Sequence, residues 1–237
     1  MINIGGYYLS HNVLFLVTIV VFVLSIIVQV LLSSKIKKYA QEDVSCGKSG
    51  AEVAKEMLQN NDIYDVEIRE VDGFLSDHYN PLNKTLNLSS DIYHGRNVGA
   101  IAVAAHECGH AIQHNRGYLF LHLRSMMVPM VSFSAKFLNI FIFLGIIMID
   151  KSVVPLKIGI MLFSTTTLFS VVTLPVEFNA SSRALTWLEH NNILTRYELK
   201  NARGALRLAA MTYLLAAIGS LAELLRLLSI LNDRRQD

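Results

Sequence analysis

Three stretches of this chain are too long and too apolar to be the helices of a small water-soluble domain, and they decide what the rest can fold into. Val13 to Leu32 carries no charge, and as a helix it would be about 30 Å long, the thickness of a bilayer's hydrocarbon layer. Met126 to Ile149 is interrupted only by Lys136, and Leu156 to Val176 follows after the turn Asp150-Lys151-Ser152-Val153-Val154-Pro155. The last two read as a membrane hairpin that returns the chain to the side it left. Lys136 is tolerated if its stem lies along apolar surface and its ammonium reaches protein or the interface. With 52% hydrophobic and 17% charged residues and a mean hydropathy of +0.40, the composition agrees with a membrane protein.

A fourth segment, Ala205 to Leu231, contains Arg207, Glu223 and Arg226, and its uninterrupted part, Leu208 to Ala222, is short for a span. Glu223 and Arg226 can pair at i, i+3, which suits a spanning helix with a neutralised polar end or an amphipathic helix lying on the membrane. The basic Arg234-Arg235 favours spanning. No Lys or Arg precedes the first span and no small-residue cleavage site follows it, so it reads as an anchor and not a secretory signal. Lys35, Lys37 and Lys38 come next, which puts the following segment in the cytoplasm and the N-terminus outside.

A formal net charge of +2 points to neither nucleic acid nor an acidic polymer as partner. Cys46 and Cys108 are the only cysteines; they make no disulfide framework and read as small thiols outside any metal site.

Between the first two long spans lies a polar stretch, residues 40–125. Gly50 to Gln59 predicts a helix, and Tyr64-Asp65-Val66-Glu67-Ile68-Arg69 alternates as a strand with one buried face. After the turn Asn80-Pro81-Leu82-Asn83-Lys84, Thr85 to Leu88 reads as a second strand, an edge along which an extended peptide could pair.

The chemistry is concentrated in His106-Glu107-Cys108-Gly109-His110, preceded by the small apolar run Val98 to Ala105. On a helix, residues four apart share one face, so His106 and His110 can grip one metal while Glu107 points to where a bound water would sit. That is the pattern of a zinc hydrolase, with Glu107 as general base. A catalytic zinc takes three protein ligands and keeps one position open. His114 continues the face but lies about 6 Å along the axis from His110, too far to close the tetrahedron. A third His six residues after the second is absent, because that position is Arg116. Glu177 is the better choice: in Leu174-Pro175-Val176-Glu177, Pro175 can open a helix and place Glu177 in its first turn. Asp91 and Glu189 are the rival carboxylates.

The chain resembles the bacterial membrane neutral zinc metallopeptidases of the YugP type. The resemblance runs through most of the chain and is carried by Gly73-Phe74-Leu75-Ser76-Asp77-His78-Tyr79, by Leu86-Asn87-Leu88-Ser89, by Ala104 to Gln113 and by Pro175-Val176-Glu177-Phe178-Asn179-Ala180-Ser181. It implies His106 and His110 as ligands, Glu107 as base and Glu177 as third ligand. More distantly the chain looks like the integral-membrane gluzincins, the heat-shock protease HtpX and the prenyl-protein proteases. In those, the ligand Glu is followed by an Ala-Asp pair, whereas here Ala180 is followed by Ser181.

Together these readings predict a mainly α membrane protein, a zincin-like α+β catalytic domain with a small β-sheet among three or four transmembrane helices. The expected divisions are an anchor (1–39), a zinc-binding catalytic region (40–125), a transmembrane hairpin (126–176), a helix with the third ligand (177–204) and a C-terminal apolar helix with a basic tail (205–237). The expected activity is a zinc metalloendopeptidase of the plasma membrane with one Zn2+ per chain, its catalytic region cytoplasmic and its substrates peptides or proteins, membrane proteins among them. His78, Tyr79, Asn179 and Arg183 are candidates for stabilising an oxyanion; equally, His78 suits a turn, Asn179 a cap, and Arg183 an ion pair that orients Glu177. Gln113 and His114 read as solvated helix-end residues. Two other classes fit the same residues: a catalytically silent zinc-binding scaffold, and a zinc hydrolase of a non-peptide amide or lipid.

Overall fold

Four helices in the computed structural model are long and apolar enough to cross a membrane: α1 (His11–Tyr39), α5 (Leu119–Ile147), α6 (Val154–His190) and α7 (Arg196–Asp233). The structure describes residues 2–4, 7–9, 11–73 and 76–233; Phe74 and Leu75 of the first resembling motif, and the basic Arg234-Arg235, lie outside them. A short antiparallel pair, β1 (Ile2–Ile4) and β2 (Tyr7–Leu9), precedes α1. The uncertain fourth segment is part of one 38-residue helix, α7. α1 ends on Lys37 and Lys38, cations placed where the carbonyl end of the helix favours them.

The chain divides into two units, each assembled from separate stretches. The first comprises residues 1–27, 123–174 and 212–237. Its outward surface is apolar, with Phe15, Phe22, Met126, Phe133, Phe143, Met161 and Leu168 exposed, as lipid-facing residues must be. Small and hydroxyl residues join its helices. A side chain at Gly145 would meet the Leu156 backbone at 2.6 Å, so that position must be glycine for α5 and α6 to turn so closely. Ser134 Oγ lies 2.8 Å from Thr165 Oγ1 across α5 and α6, and Thr167 Oγ1 donates to the Ser220 carbonyl of α7 at 3.4 Å. Arg226 grips Glu223 with two bonds of 2.6 and 2.7 Å, the i, i+3 pair expected from the sequence.

The second unit comprises residues 28–122 and 175–211. Its core is built from Val53, Met57 and Leu58 of α2 (Gly50–Gln59), Leu86 and Leu88 of β5 (Thr85–Ser89), Ile101, Ala105 and Cys108 of α4 (Val98–Asn115), and Ala184 and Leu188 of α6. α2 has the predicted bounds, opened by a reciprocal cap in which Ser49 and Glu52 satisfy each other's backbone N–H. β3 covers Glu67–Val71, shifted toward the C-terminus from the predicted strand, and Tyr64 is 75% exposed. β4 (His78–Asn80) and a one-turn helix, α3 (Ser90–Tyr93), flank β5 in the chain.

Two expectations fail here. The sheet order is β3-β5-β4, so Thr85 to Leu88 forms the centre and not the edge: β5 pairs in parallel with β3, antiparallel with β4, and is buried throughout. Pro175 does not open a helix. α6 runs unbroken from Val154 to His190, and Glu177 sits well inside it. A proline in an apolar helix removes one backbone bond but need not end the helix when neighbouring elements hold it, and Tyr118 Oη donates to the Pro175 carbonyl at 3.4 Å.

Candidate metal centre

α4 carries the two histidines and is closed at both ends. The Asn97 side chain accepts from Ala100 N at its start; at its end Gly117 adopts a positive φ of 61°, and Tyr118 N and Gly117 N return to the carbonyls of Gln113 and His114. The apolar and small residues of α4 bury it in the core, with Cys108 turned to the Ala54 carbonyl, away from the His face; burial pushes its thiol up.

His106 and His110 stand edge to face with ring centroids 4.8 Å apart. Glu177 reaches them from α6: its Oε2 lies 3.2 Å from His106 Nε2 and 3.7 Å from His110 Nε2, and the residue is 2% exposed. Donors bound to one zinc at about 2.0–2.1 Å in tetrahedral array are about 3.3 Å apart. The three side chains therefore fit that ion. Donor atoms of His106, Glu107 and His110 also lie within 4.8 Å of one another. Glu107, however, has an oxygen committed elsewhere, to the backbone N–H of Tyr79 at 3.1 Å.

The opposite ring nitrogens are held by residues that the sequence did not single out for this. Gln113 Oε1 lies 3.1 Å from His110 Nδ1. An amide oxygen only accepts, so Nδ1 carries the proton and Nε2 keeps its lone pair for a metal. The Gln113 amide nitrogen donates to the Val176 carbonyl at 2.8 Å and to Asn179 Oδ1 at 3.0 Å, two acceptors that settle which way the amide points. Gln113 is thus fully buried and binds α4 to α6, contrary to its reading as a solvated helix-end residue. Ser181 Oγ lies 3.1 Å from His106 Nδ1. Their spacing was the available signal: Gln113 is at i+3 from His110 and Ser181 at i+4 from Glu177, each on the ligand face of its own helix.

The two helices approach this closely because of Gly109. A Cβ there would come within 2.6 Å of the Ala180 carbonyl oxygen and 3.0 Å of its Cα. Small residues at the crossing let the Glu177 carboxylate reach both imidazoles.

Comparison with known proteins gives the family. Residues 14–232 match a family described as "Putative neutral zinc metallopeptidase". The chain belongs to that family. It is also 39% identical over 220 residues to the "Putative membrane protease YugP" of Bacillus subtilis (strain 168), covering 93% of this chain and 97% of that protein. No solved structure matches the chain significantly.

The other candidates have partners of their own. His78, at the start of β4, has Nδ1 2.7 Å from the Ser76 carbonyl and Nε2 3.2 Å from Asn87 Nδ2, the bonding of a turn residue. Tyr79 presents its backbone to Glu107; its hydroxyl lies 2.7 Å from His114 Nδ1. Burial and the nearby Asp65 charge push the Tyr79 pKa up to about 12, and burial holds that of His114 down, so the phenol donates and the neutral imidazole accepts. His114 therefore anchors β4 to α4 and is not simply solvated. Arg183 does not orient Glu177: its Nε donates to Asn179 Oδ1 at 2.7 Å. The rival carboxylates lie elsewhere, Asp91 exposed on α3 and Glu189 3.4 Å from Arg203.

Proposed function

We propose that this protein is a membrane-bound zinc metalloendopeptidase in which His106, His110 and Glu177 hold the ion and Glu107 is the general base. The observation that carries the reading is the position of Glu177 Oε2 within 3.2 and 3.7 Å of both Nε2 atoms, the mutual spacing of zinc ligands. When bound, zinc acidifies a coordinated water and polarises the carbonyl to be attacked. Glu107 would serve as base toward the attacking water and then as acid toward the leaving amine. The Tyr79 N–H fixes one of its oxygens, which keeps the carboxylate oriented without protonating it. Gln113 and Ser181 hold the imidazole rings so that both Nε2 atoms converge.

The substrate backbone is assigned to β4 and not to the buried Thr85–Leu88 strand. Tyr79 turns its N–H away from β5 and toward Glu107, so an extended peptide laid along this edge would pass beside the base. Lys35, Lys37 and Lys38 after the first span support a cytoplasmic catalytic unit at the plasma membrane, with peptide or protein chains as substrates, membrane proteins among them. A quenched peptide library incubated with the full-length protein in detergent tests the activity. Cleavage should vanish with chelator, return with zinc, and be lost in Glu107→Gln. Stoichiometric zinc with no cleavage of any peptide would instead make the protein a silent scaffold, and release of a non-peptide amide or lipid product alone would make it another hydrolase.

A further inference from the structure

A cavity in the unit of residues 28–122 and 175–211 has no part in the proposed hydrolysis. It occupies about 330 Å³ beside α2, α4 and α6, and its wall includes Asn61, Arg116, Ser182, Arg183, Trp187 and His190, with no Asp or Glu. Arg116 caps α4 and its guanidinium bonds Asn61 Oδ1 at 3.4 Å; Arg183 bonds to Asn179. Among the described residues neither guanidinium has a carboxylate partner, and the two are near enough to repel each other. Like charges gathered in a concave wall without counter-charge create a field that an anion relieves. Independently, Trp187 is 92% buried at 8% exposure, yet its indole N–H finds no acceptor among the described residues. Buried indole donors ordinarily have one.

We propose that this cavity binds a phosphate group. The two guanidinium forks match phosphate oxygens, and the Ser182 hydroxyl and the His190 imidazole, beside the Trp187 indole in the same wall, offer further donors. The same chemistry could come from free phosphate or from a lipid headgroup; Arg116 precedes α5, a candidate span that begins at Leu119, by only three residues. One consequence rests on the hydrolase reading: Arg183 and Gln113 share Asn179 Oδ1, so occupancy of the cavity bears on the residue that holds His110.

Trp187 is the only tryptophan in the chain, so its emission reports on this cavity alone. Full-length protein in detergent is titrated with inorganic phosphate at constant ionic strength against a chloride control. In a second arm it meets vesicles of phosphatidic acid in phosphatidylcholine, with pure phosphatidylcholine as control. A saturable change in emission, with a matching rise in the thermal midpoint, is expected from phosphate, from the phosphatidic acid vesicles, or from both; the responding arm identifies the source. Arg116→Gln and Arg183→Gln should each weaken it about tenfold or more. Arg116 is exposed at a helix end, so its variant carries the test even if Arg183→Gln does not fold. No saturable response in either arm, or a response unchanged in Arg116→Gln, overturns the proposal. Because no readout depends on hydrolysis, failure here leaves the peptidase reading standing, and the reverse also holds.

Discussion

Gln113 and His110 stand one turn apart on α4, and the amide oxygen of the first lies 3.1 Å from Nδ1 of the second. The same amide ties α4 to the carbonyl of Val176, the residue before Glu177. Gln113→Ala should therefore lower zinc affinity about 10- to 100-fold, the usual effect of removing a group that orients a ligand. It should also cost roughly 1–3 kcal/mol of stability by leaving the buried His110 Nδ1–H without its acceptor. Chelator competition and thermal melts of the metal-free protein measure the two effects separately. Unchanged zinc affinity would remove Gln113 from the metal site.

Ser181 offers His106 a neutral hydroxyl, 3.1 Å from Nδ1. Ser181→Ala should weaken zinc about tenfold or more, because His106 loses the group that holds its Nδ1. Ser181→Thr keeps the hydroxyl and should stay near the parent. Equal affinity for parent and alanine variant would count against the contact.

Gly109→Ala should destabilise the second unit by about 1–3 kcal/mol, the cost of forcing an extra methyl into a packed contact. The opposing group is the Ala180 backbone, which cannot swing aside as a side chain would. The displacement should also draw Glu177 from the imidazoles, so zinc affinity and melting temperature are expected to fall together. A variant that melts like the parent would contradict the close approach.

His114 gives a pH dependence with a definite sign. Burial, and then the charges of Lys84 and His122, hold its pKa below the ordinary 6.5 in the folded protein. The unfolded chain then binds protons more readily, so the contribution is complete above about pH 6.5 and is lost as pH falls through the folded value. Between pH 8 and 5.5 the metal-free parent should lose more melting temperature than His114→Gln. Equal losses would show that the Tyr79 bond does not depend on a neutral imidazole.

The parts legible in the sequence were those governed by neighbours along the chain. Ser49 and Glu52 announce the start of α2, and the apolar lengths of α1 and α5 announce spans, because capping and hydropathy are local. The order β3-β5-β4 is not local: whether Thr85 to Leu88 is centre or edge depends on a parallel partner that precedes it and an antiparallel one closer in sequence. Pro175 misleads for a related reason. Its preference for a first turn is intrinsic, whereas its tolerance inside α6 comes from surrounding structure. At the metal centre, His106, Glu107 and His110 were visible by spacing within one helix. Gln113 and Ser181 were not, because only the crossing at Gly109 shows that their faces meet.

The proposed ligands are split by the membrane hairpin: two lie on α4, and the third arrives on α6 only after α5 has passed. A nascent polypeptide that has emerged only through α4 would own both imidazoles and no carboxylate to complete them. Hydrolytic competence would then be withheld during synthesis until two further spans had entered the lipid, and a truncated chain ending before α5 should be inert for the same reason.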